Sequence, residues 1–246
     1  MMSPKMIVGG SSEEALFSGV TSTDQVDQEG GALLVGRGLG FFTRGIIDQH
    51  FDTKARLGRL IIATSMTEGS PEVGFGIDEN TALVVDLKTG LATVVGSAQV
   101  ILVEPSGSLD PNELPYTISS VQLASLGAGD QVDLDTLQVT PAPDKKPTVG
   151  KEYYAINHPT SNGILSSYGS LNQLLSVKLI DNKNASKATS YLIHPDEQKA
   201  YRLSFSKSKE SRGYWAYRDG QEDHYTVTGI QLCIEPIQLS IKGEGQ

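Results

Sequence analysis

The chain has 246 residues, 38% of them apolar, a formal net charge of −9 and a single cysteine. That length and apolar content suffice for one substantial core, or one core with a smaller appended module, without covalent staples. The composition leaves no run of about 18 apolar residues for a helical membrane span, no basic excess for a nucleic-acid surface, and no second cysteine for an intramolecular disulfide. Met1 to Val8 lack the long apolar stretch of a secretory signal. Localisation is open on this reading, with the cytoplasm favoured and secretion requiring a signal upstream of Met1.

In chain order, Ala32-Leu33-Leu34-Val35 is an apolar run between glycines, as expected for a strand buried on both faces. Ile46-Ile47-Asp48 reads as a second strand. Asp52 then offers an N-cap carboxylate to a helix whose apolar positions Leu57, Leu60 and Ile61 recur at helical spacing. Lys54, Arg56 and Arg59 fall in its first turns, where cations oppose the helix dipole at a cost of roughly a few tenths of a kcal/mol. Such a broken local rule sometimes marks a site. Val73 to Ile77, Ala82 to Val85, Leu91 to Val95 and Val100 to Val103 read as short strands, with Lys88-Thr89-Gly90 as a hairpin-like turn.

Three prolines between Pro141 and Pro147 remove backbone donors, so 141–150 reads as a linker or extended connection between residues 1–140 and 151–246. Beyond it, Lys151 to Ile156, Leu175 to Leu179, Ser190 to Ile193, Tyr201 to Phe205, Gly213 to Tyr217 and Tyr225 to Ile234 read as strands. They would form a small β module or decorate the first domain. Cys233 is expected to be buried in the last of them, behaving as a small hydrophobe.

The most informative segment is Gly45-Ile46-Ile47-Asp48-Gln49-His50-Phe51, an apolar strand ending in polar side chains just before a helix. Ligands of open α/β sheets collect at the carboxyl ends of strands. His50 is the natural general base there, since its unperturbed pKa lies nearest neutrality, and the alternative is a hydrogen-bonded structural histidine. If the strand continues, Asp48 shares a face with it. Gly74-Phe75-Gly76-Ile77-Asp78-Glu79-Asn80 supplies a carboxylate after a glycine-rich strand, which would orient an imidazole or simply form a solvated turn. Gly36, Gly38 and Gly40 fit no phosphate-loop spacing, and His158, His194 and His224 have no metal-ligand spacing. Tyr214, Trp215 and Tyr217 alternate as a binding face or, more ordinarily, as sheet packing.

At these residues the chain resembles the cyanophycinases and, more distantly, the aspartyl dipeptidases of the same serine-peptidase family. The matching stretches are Met6-Ile7-Val8-Gly9-Gly10-Ser11-Ser12-Glu13, Gly38-Leu39-Gly40-Phe41, Ile46-Ile47-Asp48-Gln49-His50-Phe51, Arg56-Leu57-Gly58-Arg59-Leu60 and Gly76-Ile77-Asp78-Glu79-Asn80-Thr81-Ala82-Leu83, in family order across about the first hundred residues. The resemblance implies an α/β, glutamine-amidotransferase-like (flavodoxin-like) three-layer fold, N-terminally truncated, with a β-rich C-terminal extension. It implies a serine-type exopeptidase that cuts cyanophycin, multi-L-arginyl-poly-L-aspartate, or related β-aspartyl peptides, with His50 as base and Glu79 as acid. Asp48, Gln49, Lys54, Arg56 and Arg59 fall where the family lines its substrate pocket. No metal or organic cofactor is implied, and a homodimer is compatible with the resemblance.

Two departures accompany it. Lys54 stands where the family usually has arginine, so a point charge replaces a planar fork. The family's nucleophilic serine lies in a turn shortly before the Met-Ile-Val stretch, and neither Ser3 nor Ser11 sits in such a turn. The expectation is therefore a chain inactive alone, whose serine belongs to a missing N-terminal part or a separate chain. The alternative is a catalytically inactive peptide-binding scaffold of the same fold.

Overall fold

The structure is a computed structural model that describes residues 2–22, 31–66, 71–161, 163–165, 170–194, 199–218 and 222–238. It is α/β, dominated by strands in three sheets. The first sheet is formed by β1 (Lys5–Gly9), β2 (Val20–Ser22) and β3 (Leu33–Arg37), with β3 central, antiparallel to β1 and parallel to β2. Between β1 and β2 runs α1 (Ser12–Ser18), absent from the sequence reading. Its signal was present as a capping box: Ser11 Oγ accepts from Glu14 N at 3.1 Å, while the Glu14 carboxylate accepts from Ser11 N at 2.6 Å.

Next come β4 (Ile46–Gln49), α2 (Leu57–Ser65) and β5 (Gly74–Ile77), with β4 and β5 parallel neighbours. The hairpin β6 (Thr81–Val85) and β7 (Leu91–Gly96) turns at Lys88-Thr89-Gly90, as read from the sequence. β8 (Val100–Pro105) and β9 (Ile118–Leu126) follow, then the short β10 (Gln131–Asp133), β11 (Val139–Thr140) and β12 (Lys146–Pro147). A short α3 (Leu171–Gln173) runs on as a π-helix (Leu174–Ile180), and β13 (Lys187–Ile193), β14 (Lys199–Arg218) and β15 (Glu222–Gln238) complete the chain.

The main sheet has eight strands in the order β12-β14-β15-β9-β8-β5-β4, with β13 also on β14, while β11-β10-β7-β6 form a four-stranded sheet. The apolar run of β8 is buried on both faces because it separates two cores. Ile101 and Val103 point into the larger one with α2, whereas Val100 and Leu102 pack with Val94 and Val132 of the four-stranded sheet. Among the described residues no helix is long and apolar enough to cross a membrane.

The C-terminal strands join this sheet. β15 pairs with β9 at Ile230↔Leu123 and Leu232↔Val121, and Leu203, Phe205 and Leu232 share the larger core with Leu60 and Ile101. The proline-rich 141–150 stretch alternates turns, closed by Lys145 N→Ala142 O (3.0 Å) and Lys151 N→Thr148 O (2.8 Å), with the short β12 that pairs with β14. Lys145 Nζ is buried and donates to both oxygens of Asp130 (2.9 and 2.8 Å) and to Thr226 Oγ1 (2.8 Å). Beside it, Arg218 grips Asp144 through two 2.6 Å bonds, which hold that carboxyl down at about 2.

Three readings of the C-terminal half are corrected. Leu175 to Leu179 lies in the π-helix, because its start is fixed by a distant carboxylate: Asp52 accepts from the amides of Leu171 and Asn172. Lys151 to Ile156 is no strand. The amides of Tyr153 and Ile156 bond instead to the side chains of Asp181 and Asn182, leaving one isolated bridge at Tyr154. Cys233 is in β15 but half-buried, on the face opposite the fully buried Ile230, Leu232 and Ile234.

Replacing Lys145 with Met is expected to leave the Asp130 charge buried and unpaired, lowering unfolding stability by about 3 to 5 kcal/mol. Urea unfolding checks this, and adding Asp130→Asn to the Met variant, which removes the charge but keeps an acceptor oxygen for the Gly127 or the Ala142 amide, is expected to recover part of the loss.

Candidate active site

β4 and β5 run parallel in register, Asp48 opposite Gly76 and Gln49 opposite Ile77, so their carboxyl ends emerge side by side. The chain leaves β4 abruptly at His50, whose φ of 46° lies in the left-handed region, and enters a tight turn closed by Lys54 N→His50 O (3.0 Å) and Arg56 N→Phe51 O (2.9 Å). Phe51 anchors the turn by packing flat on β5. A Cβ at Gly76 would lie 2.4 Å from its ring, and one at Gly74 would lie 2.8 Å from Leu60 of α2. The glycines of β5 thus let the turn and the helix approach the strand backbone. Beyond β5, Asp78 Oδ1 accepts from Thr53 N at 3.3 Å and ties the second turn to the first.

The two turns place His50 Nδ1 3.1 Å from Glu79 Oε1, with both side chains about half exposed. A carboxylate only accepts, so Nδ1 carries the proton in this bond and Nε2 is left as the basic nitrogen. An imidazole oriented in this way at the carboxyl edge of an α/β sheet is suited to taking a proton from a nucleophile and returning it to a leaving group. Among the described residues no serine hydroxyl is bonded to His50. Ser3 Oγ is buried and donates to Lys5 O, Ser11 caps α1, and Ser12 is engaged at α2.

Asp48 does not share a face with His50, because the left-handed turn takes His50 out of the strand's alternation. Its fully buried carboxylate receives a two-pronged grip from Arg59, Nε to Oδ2 at 2.7 Å and a terminal nitrogen to Oδ1 at 2.5 Å, while the other Arg59 nitrogen donates to Gly10 O at 2.8 Å. Arg56 lies 3.6 Å from Asp48 and donates to Gln49 O at 2.5 Å. Burial and the neighbouring Arg59 push the Arg56 pKa down, and Asp48 pushes it back. Of the five pocket residues expected from the sequence, Gln49 and Lys54 are exposed, Arg56 is partly so, and Asp48 and Arg59 are buried against each other.

The helix cap is also reassigned. α2 begins at Leu57 after Arg56, which gives no side-chain cap; Ser12 Oγ instead accepts from Gly58 N (3.0 Å) and Arg59 N (3.3 Å) and donates to Ala55 O (2.6 Å). Asp52 turns away to cap α3, and burial raises its pKa despite the two amides. Lys54 and Arg56 therefore precede the helix, and Arg59 in its first turn is neutralised by Asp48.

Next to the paired turns is a cavity of about 380 Å³ lined by Asp52, Asp78, Gln99, Asn172, Ser176 and Asp223. Asp223 and Asn172 were missed by sequence reasoning because they come from β15 and α3, brought here only by the tertiary fold. Among the described residues no group of three His, Cys, Asp or Glu side chains is arranged to hold a metal ion. His158 is exposed, His194 meets the Phe17 ring at 5.0 Å, and His224 is buried.

Comparison with curated proteins finds several relatives named cyanophycinase. The chain is 36% identical over 112 residues to a cyanophycinase of Trichormus variabilis, covering 43% of this chain and 36% of that protein. It is 33% identical over 146 residues to one from Synechococcus elongatus (55% and 44%), and 32% identical over 145 residues to one from Geminocystis herdmanii (56% and 47%). Over about half its length the chain is cyanophycinase-like, and it spans less than half of each of these relatives. No family model and no solved structure matches it.

Gly76→Ala is expected to drive Phe51 off the strand and cost about 1 to 3 kcal/mol, the usual scale for overpacking. Thermal unfolding would read it as a lowered midpoint, and an unchanged midpoint would show that the turn does not rest on this contact.

Proposed function

We propose that the chain carries the base and orienting acid of a serine-type exopeptidase that cleaves cyanophycin, or related β-aspartyl peptides, to β-aspartyl-arginine dipeptides. The observation that carries this reading is the 3.1 Å contact between His50 Nδ1 and Glu79 Oε1 at the carboxyl ends of two parallel strands. The relatives bearing the name cyanophycinase support the substrate class. On this reading the scaffold is a glutamine-amidotransferase-like three-layer fold completed by sequence outside these residues, which also supplies the serine.

His50 Nε2 takes the serine proton as the oxygen attacks the peptide carbonyl, and Glu79 steadies the imidazolium that forms. The same proton passes to the leaving amine, giving an acyl-enzyme. Water, deprotonated by His50, then releases the acid and restores the serine. The carboxylates of Asp52, Asp78 and Asp223 around the adjacent cavity suit a guanidinium-bearing substrate. Arg56 and the exposed Lys54 and Gln49 are the nearest groups for a substrate carboxylate and backbone, while Asp48 and Arg59 act by holding the strand end.

The test is expression from the coding sequence that precedes Met1 and assay of dipeptide release from cyanophycin. His50→Ala is expected to lower kcat by at least about 10³-fold and Glu79→Gln by about 10² to 10⁴-fold, with folding unchanged. Release that survives His50→Ala would overturn the assignment. Binding of cyanophycin without any hydrolysis would instead favour a peptide-binding scaffold.

A further inference from the structure

A cleft of about 650 Å³ opens on the C-terminal strands, away from the His50–Glu79 pair. That volume lies within the roughly 300 to 1,000 Å³ typical of small-ligand sites. Its walls are aromatic. Trp215 and Tyr217 project from one face of β14 with ring centroids 6.4 Å apart and planes tilted by 31°, and Tyr153 meets Tyr154 edge to face at 5.1 Å. Tyr153 is 82% exposed and Tyr217 56% exposed, far more ring surface than sheet packing would leave in water.

Its polar groups are acidic at the base and basic at the rim. Asp181 is buried, accepting from Tyr153 N (2.8 Å) and the Tyr225 hydroxyl (2.7 Å), with the Lys207 ammonium in its field. Asp223 accepts from Trp215 Nε1 through Oδ1 at 2.8 Å, which orients the indole and leaves Oδ2 without a hydrogen bond among the described residues. The negative field is felt by Tyr154, whose hydroxyl pKa is raised by burial and then by Asp223 and Asp181. Exposed Lys146 and Lys151 stand at the edge.

We propose that this cleft binds a peptide unit carrying a guanidinium side chain and a free carboxylate. The planar cation stacks on Trp215 and Tyr217 and pairs with Asp223, whose Oδ2 has no hydrogen bond among the described residues. The carboxylate meets Lys146 and Lys151. A neutral sugar would use the rings but would leave the Asp223 carboxylate without a counter-charge, so the cation is the better fit. The cleft shares Asp223 with the cavity beside the His50 turn, whereas Tyr217, Lys146 and Lys151 line the cleft and not that cavity, and its occupancy needs no turnover.

The chain contains one tryptophan, so Trp215 fluorescence reads the wall of this cleft, and Tyr217→Ser and the lysine replacements separate it from the cavity that shares Asp223. Titration with N-acetyl-arginine is expected to give a saturable change, and the neutral isostere N-acetyl-citrulline to bind at least about tenfold more weakly. Asp223→Asn is expected to weaken N-acetyl-arginine binding by about tenfold and Tyr217→Ser by about fivefold, both at exposed positions and without a change in thermal unfolding. Replacing Lys146 and Lys151 by Met is expected to bring N-acetyl-arginine down to the affinity of its amide. Equal binding of the citrulline analogue, indifference to Asp223→Asn, or no fluorescence change with the arginine ligand would each overturn the proposal. Saturation by a maltose oligosaccharide with arginine silent would make the cleft a sugar platform.

Discussion

The buried pairing of Arg59 with Asp48 is the contact on which the site depends. It joins the first turn of α2, the end of β4 and, through Gly10 O, the turn between β1 and α1. A buried ion pair is no guarantee of net stability, because desolvating both charges offsets their attraction. What it does impose is geometry: every donor of the Arg59 fork that reaches Asp48 or Gly10 is used, and either partner left alone would be a bare charge in a dry core. The end of β4 is therefore held in one place, and His50 turns off it from a fixed point.

A second constraint acts on the other side of the strand. β5 has glycine where Phe51 and Leu60 press against it, so the turn after β4 and the helix after that turn both settle onto strand backbone. Ser12 of α1 then supplies the cap that α2 lacks in its own sequence, and Asp52 is released to start α3 some 120 residues later in the chain. The His50 turn, the cap and the C-terminal helix are thereby coupled through short polar contacts.

The C-terminal strands contribute surface as well as support. β15 extends the main sheet and brings Asp223 to the wall of both cavities, one beside the His50 turn and one among the aromatic side chains of β14. The aromatic cleft, with its carboxylates and rim lysines, is lined wholly by residues after Lys145, whereas the cavity beside the His50 turn draws on both halves of the chain. The curated relatives align over about half of the chain.

Much of the N-terminal half was legible because its signals are local. The apolar runs at 33–35, 46–47 and 100–103, the turn at Lys88-Thr89-Gly90 and the polar end of β4 all report through period and composition, while the choice of Glu79 within Asp78-Glu79-Asn80 came from the family resemblance. The helix at 174–180 was read as a strand because its start is set by Asp52 rather than by a neighbour in sequence. Asp48 was misplaced because one left-handed residue, His50, breaks the alternation that a strand would have kept. The sequence by itself determined which residue types could do chemistry and where strands would end. Only the tertiary structure decided which met, because the pairing of β4 with β5 and of β15 with β9 depends on contacts that no local pattern encodes.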